Sequence, residues 1–328
     1  MRYKSIFILF IFLFQFNSFC QQKVEKEEQS FEALRVPKLV FFDDLSLRAA
    51  IYGGYDSNVN LSKLRKGDAF QEFLLYGDLS KKITKDLKFL FNYNLDVLNY
   101  SEFTDASNIL NHFTFTLQKK FDKFLVGWGY DLGILYYPHN EDGDFLFHKA
   151  FIYLKHNISK TLYQKLSFNM GYKYYTNKEA YSDSLNTYLS DKRHDWRYTL
   201  NYSIGSKIAD KLFLGWDAQY LLNYSNVLYI DFYDYSAFST SIFLNYELFK
   251  KFLLYSRFSY TKKDYKRLVT LADYKQEDNL YVGSFSISYL LNKNNSLNAY
   301  YTYRYNDSND WLADYFEHVS GIGWQYRF

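Results

Sequence analysis

His194 stands beside Asp195, and Ser182 and Ser184 lie a short way upstream; of all the residues in the chain, this set comes nearest to a hydrolase. A nucleophilic serine needs a histidine base and a carboxylate to orient it, all within hydrogen-bond reach. Alternation along an extended segment puts His194 and Asp195 on opposite faces, which parts the base from its orienting acid. The remaining histidines, His112, His139, His148, His156 and His318, show no HExxH spacing, and no GxSxG turn occurs. The expectation is a chain that is not an enzyme, with no cofactor and no metal.

A different chemistry is written in charges that recur at alternate positions. Acidic residues on the polar face come early: Asp56, Glu72, Asp78, Asp96 and Asp131. Basic ones come in the middle: Lys149, Lys155, Lys165, Lys173 and Arg197. Later positions mix Asp217, Glu247, Arg257, Arg304 and Arg327. Such charges on the inner wall of a pore set ion preference, and an acidic arc beside or opposite a basic arc makes a field that favours polar or charged solutes. The same charges could instead pair and fill the interior; the residues alone leave both readings open. Tyr52, Tyr76, Tyr153, Tyr163 and Tyr300 share that face and could stack on sugar rings. Acids in the connecting segments, such as Glu141-Asp-Gly-Asp144, have no calcium-loop spacing and read as solvated tips.

The elements that must carry these residues are strands. About fourteen two-faced segments follow one another, at 46–57, 69–81, 86–100, 108–119, 124–137, 146–156, 161–175, 193–205, 211–225, 235–248, 251–263, 279–291, 296–306 and 315–328. In 124–137, Phe124, Val126, Trp128, Tyr130, Leu132, Ile134 and Tyr136 oppose Gly127, Gly129, Asp131 and Gly133. The inward glycines would leave room for a plug or an inward-folded loop. Most segments exceed the roughly 5–6 residues of soluble strands and suit a tilted membrane crossing of about 9–11. Short connections at 81–86, 119–123, 156–161, 206–211, 249–250 and 291–295 alternate strictly with longer ones at 59–69, 101–105, 138–144, 177–192, 226–233, 264–278 and 307–313. That is the pattern of an all-β, transmembrane, up-and-down antiparallel barrel with tight periplasmic turns and long outer loops. Aromatics at 22% of the chain, tyrosine foremost, agree with headgroup belts, and only Pro37 and Pro138 interrupt strand formation. The last segment ends on Tyr326 and Phe328 of an apolar face, which is similar to the terminal signal by which outer-membrane barrels are recognised for assembly.

Residues 1–20 read as a signal peptide: Arg2 and Lys4, an apolar run from Ile6 to Phe16, then Ser18 and Cys20 at a cleavage region. Cleavage before Gln21 or lipidation of Cys20 are both open. Loss of Arg2 and Lys4 from the 39 basic residues leaves 37 against 36 acidic ones, so nucleic acid is not an expected partner. Residues 21–45 read as a periplasmic segment or a small plug, with Pro37 ending any short helix, and 46–328 as the barrel.

The stretch Gly53-Gly-Tyr-Asp-Ser-Asn-Val-Asn-Leu61 resembles the opening strand of porins of the second β-barrel type and of the barrel domains of surface-lipoprotein assembly modifiers, with Tyr55 to Val59 matching. The modifiers carry helical repeats before their fourteen-stranded barrel, where this chain has residues 21–45. Fatty-acid channels share the strand number and have an N-terminal plug. The resemblance implies a cell outer membrane protein of a Gram-negative bacterium. Its implied role is a porin-like channel for small polar or charged solutes. The alternatives are an export pore for lipoprotein or polysaccharide with a periplasmic partner, or a surface adhesion or structural barrel. Outer-membrane lipid, lipopolysaccharide and the barrel-assembly machinery are the implied partners.

Overall fold

The computed structural model describes residues 42–182, 187–227, 234–268 and 274–328. The 1–20 leader, Cys20 and residues 21–41 lie outside them. Within them the alternating segments form fourteen strands: β1 Asp44–Asp56, β2 Asp68–Lys82, β3 Leu87–Tyr100, β4 Asn108–Phe121, β5 Phe124–Tyr136, β6 Phe145–Asn157, β7 Leu162–Ser182, β8 Thr187–Ala209, β9 Leu212–Ser225, β10 Tyr235–Phe249, β11 Phe252–Leu268, β12 Lys275–Leu290, β13 Asn295–Ser308 and β14 Tyr315–Arg327. Each pairs antiparallel with its neighbours in sequence, and β1 closes on β14. The closed barrel leaves no strand edge unpaired.

Short turns gather at one rim and longer connections at the other. Asp122 and Lys123 alone join β4 to β5; Asp122 takes a φ of 38°, a left-handed conformation that aspartate tolerates better than most residues. Two of the expected long loops are largely strand. β7 and β8 continue past 175 and begin before 193, so most of 177–192 is paired strand, with Ala180 fully buried. Its struts are Lys192 to Glu179 at 3.9 Å and the edge-on rings of Tyr181 and Tyr188, 5.2 Å apart. Likewise β11 runs to Leu268 and β12 starts at Lys275 within the expected 264–278 loop. Both extensions are rich in polar residues, so the apolar alternation that marks the other strands is missing from their sequence.

The outward face is apolar and exposed: Ile51, Phe115, Trp128, Ile152, Leu200, Ile242, Phe285 and Ile322 all point away from the lumen. Ile322 is 71% exposed, on a scale that would make a continuous band of this kind a liability in water. At the short-turn rim this face ends in aromatic rings, with Phe249 packed on Phe252, Phe252 on Tyr289, Trp324 on Tyr326 and Tyr326 on Phe328.

The closing seam explains the Tyr55–Val59 segment. Arg48 to Asp56 pair with Val319 to Arg327, and Phe328 N–H donates to Leu47 O at 2.9 Å. Beyond the last pair, Ser57 N–H donates to His318 O at 2.9 Å and His318 N–H to Ser57 Oγ at 2.7 Å. Asn58 Nδ2 donates to Phe316 O and to Ser62 O, both at 2.9 Å, and Asp56 accepts from Asn58 N–H at 2.8 Å and Tyr100 Oη at 3.0 Å. The segment therefore bolts the first long loop across the β1–β14 seam.

Candidate functional site

The two-residue pleat sends alternate side chains inward, and pairing across the sheet carries that parity from strand to strand. Cross-strand partners such as Lys149 and Asp131, Lys173 and Asp195, and Arg304 and Glu317 thus share the inner face. All the charged candidates, Asp56, Glu72, Asp78, Asp96, Asp131, Asp217 and Glu247 with Lys149, Lys155, Lys165, Lys173, Arg197, Arg257 and Arg304, lie on inward positions of that register. His194 points outward and Asp195 inward, so the wall parts these two; Ser184 lies outside the described residues.

Many of these charges meet one another. Arg48 reaches Asp78 at 3.2 Å, Arg257 reaches Asp217 at 3.4 Å, and Lys149 pairs closely with Asp131. Arg193 grips Asp195 with two hydrogen bonds, 3.2 Å from Nε and 2.8 Å from Nη2. Glu247 reaches Lys211 at the short-turn rim at 3.6 Å. Arg48 and Arg193 were not among the candidates. Their signal was the alternation itself, since Arg48 lies on the inner face of the first segment and Arg193 begins the segment 193–205 two residues before Asp195. Arg197 donates from Nε to Asn223 Oδ1 at 3.3 Å. Glu72 and Asp96, by contrast, form no ion pair among the described residues; they lie within electrostatic reach of each other and of Tyr300.

The long-loop mouth is tightly packed. Leu110, Leu135, Tyr137, Phe145, Phe147 and Tyr175 form one buried inward cluster. Lys173 lies over the rings of Phe145 and Tyr175, 3.8 and 4.4 Å from their centroids, and Arg193 over Tyr175 at 4.5 Å. Val59 of the first loop joins a second cluster with Phe70, Leu98 and Tyr100, and Leu221, Tyr235, Ala237 and Tyr265 form a third. Gly143 tucks under the Tyr137 ring, and Asn306 donates to Ala313 O at 2.7 Å. Three long loops thus send residues onto the inner wall at this end. Asp144, in the loop beneath Tyr137, has its carboxyl pushed up by burial, although the Tyr137 N–H bonded to it pulls the other way.

The short-turn half carries aromatic rings laid against glycines of the neighbouring strand. Tyr153 covers Gly127, Phe151 covers Gly129, Phe213 and Tyr163 flank Gly205, and Phe243 covers Gly215; a Cβ at any of these glycines would strike the ring. The space above Gly127 and Gly129, expected to admit a plug or loop, is filled by the barrel's own rings. A glycine lets a ring lie flat on the wall, where an ordinary side chain would hold it off.

No protein-family model matches the chain, and no curated protein matches it in sequence. Among solved structures it is similar to outer-membrane expressed OmpT of Vibrio cholerae, at 10% identity over 87% of this chain and 97% of that one, with a TM-score of 0.53. A loop L8 deletion mutant of the same protein aligns at 11% identity over 87% and 99%, with a TM-score of 0.52. A Pseudomonas aeruginosa FadL homologue aligns at 10% identity over 86% and 90%, with a TM-score of 0.50. What the chain shares with them is a fold, which in this chain is a closed antiparallel barrel of fourteen strands.

Proposed function

We propose that this chain is an integral outer-membrane channel through which small polar or charged solutes diffuse. The observation that carries the reading is the division of the wall into an exposed apolar outer face and an inner face set with Lys155, Lys165, Arg197, Glu72 and Asp96. The outer face favours a bilayer, and the inner one favours water and ions over greasy cargo. In this reading the short-turn rim faces the periplasm and the long loops face outward among lipopolysaccharide. The leader at 1–20 delivers the chain, and Tyr326 and Phe328, on the outer face of β14, present it to the barrel-assembly machinery. No cofactor or energy source is needed.

The test is electrical. Purified protein inserted in a planar bilayer should give steady, ohmic conductance in potassium chloride. A barrel shown by heat-modifiable gel migration to be folded, yet silent in the bilayer, counts against a channel.

A further inference from the structure

Glu72 and Asp96 lie on the inner face of β2 and β3, toward the long-loop end. In the register Glu72 stands opposite Leu98 and Asp96 opposite Leu74, so the two carboxyls are diagonal neighbours. Such positions in an antiparallel pair lie about 7 Å apart. The charge of Asp96 is felt at Glu72.

Elsewhere on the inner wall a cation answers the carboxyl. Arg48 meets Asp78 at 3.2 Å, Arg257 meets Asp217 at 3.4 Å, Arg304 meets Glu317 at 2.6 Å, and Lys149 pairs with Asp131. Glu72 and Asp96 are the exception. Among the described residues no lysine, arginine or histidine acts on either, and neither carboxyl accepts a hydrogen bond. Asp96 is 7% exposed, and its Oδ1 is buried without a partner. Like charges set side by side repel, and a buried carboxylate with nothing to bond costs stability. A cationic ligand removes both costs.

The surroundings select the cation. Leu74 and Leu98 face the carboxyls across the β2–β3 pair. Tyr52 of β1 is directly opposite Glu72, and its ring meets that of Tyr300 edge-on, centroids 5.6 Å apart. Tyr300 lies in the field of both carboxyls. Calcium takes about 6–8 oxygen ligands and magnesium a full octahedron, whereas no group of three Asp, Glu, His or Cys side chains gathers to hold a metal among the described residues. An ammonium needs only acceptors for its N–H groups. Leucine and tyrosine side chains suit the methylenes attached to it, and tyrosine rings suit the charge. Two carboxylates call for two such groups.

We propose that Glu72 and Asp96 form a binding site for a linear aliphatic diamine, one ammonium on each carboxylate and the methylene chain along Leu74, Leu98 and the tyrosines. The site rests on the channel reading only for how the diamine arrives.

Calorimetry measures binding apart from transport. 1,4-Diaminobutane, butylamine and magnesium chloride are titrated into the folded, detergent-solubilised barrel at fixed ionic strength. Diaminobutane should bind the most tightly. Asp96→Asn and Glu72→Gln keep the side-chain shapes, and each should weaken diaminobutane by about tenfold or more. Asp78→Asn, which alters a carboxylate that Arg48 already holds, should leave its affinity unchanged. Heat-modifiable gel migration shows which variants are folded, and the ranking of the three ligands on the unaltered protein needs no variant. No binding of diaminobutane, magnesium or butylamine binding as tightly, or indifference to both carboxyl variants overturns the site. Bilayer currents on the same protein separate the two ideas: binding without conductance removes the channel and keeps the site, and conductance without binding does the reverse.

Discussion

Arg304 Nη1 lies 2.6 Å from Glu317 Oε2, across the β13–β14 pair, and Glu317 is fully buried. Asp56 of β1 sits close enough to share the field of this pair, and Tyr100 Oη caps Asp56 from β3. One guanidinium therefore answers two carboxyls at the seam where the barrel closes.

Removing that guanidinium strands buried acids, which costs more than an intact buried pair contributes. Arg304→Met should destabilise the barrel by about 3–5 kcal/mol. Urea unfolding in micelles, followed by tryptophan fluorescence, checks this. Glu317→Gln leaves Arg304 beside Asp56 and should cost less.

Charge reversal in the lumen should depend on what each charge already faces. Lys149 is held by Asp131, whereas Lys165 lies on the Tyr153 ring. The reversal potential in a salt gradient should shift toward cation preference for Lys165→Glu, and for Arg197→Glu, more than for Lys149→Glu. Equal shifts would mean that the Asp131 pairing does not screen Lys149.

The cluster packed at the long-loop mouth should limit current. Tyr137 and Tyr175 are among the most buried side chains, at 1% exposure each. Tyr175→Ala or Tyr137→Ala should raise single-channel conductance, at about 3–5 kcal/mol of lost packing. Tyr175→Phe keeps the ring and should leave conductance as it was. Phe285→Ala, on the outer face, should also leave it unchanged.

The glycine seats should be intolerant by side. Gly215→Ala puts a methyl into the Phe243 ring and should cost about 1–3 kcal/mol. Gly283 has open space where a Cβ would go, so Gly283→Ala should be neutral, or stabilising by up to about 1 kcal/mol. Paired unfolding curves for the two variants check the contrast.

Much of this protein was legible in the order of its residues. A period of two, kept over segments such as 124–137, 211–225 and 279–291, decides which residues face outward and which face the lumen, because a strand has no other way to place consecutive side chains. Connections of alternating length decide an up-and-down order, and an apolar outer face with no edge to spare decides closure. Reading 177–192 as a loop failed because its residues are mostly polar at both parities and leave no periodic apolar trace. Tertiary structure alone decided what the inward residues do to one another. Lys149 meets Asp131, Lys165 meets a tyrosine ring, and Tyr153 fills the space over Gly127, because those contacts depend on the register between strands and on which side chain crosses to its neighbour. Parity along one strand says that a group points inward; only the register between strands says what it touches there.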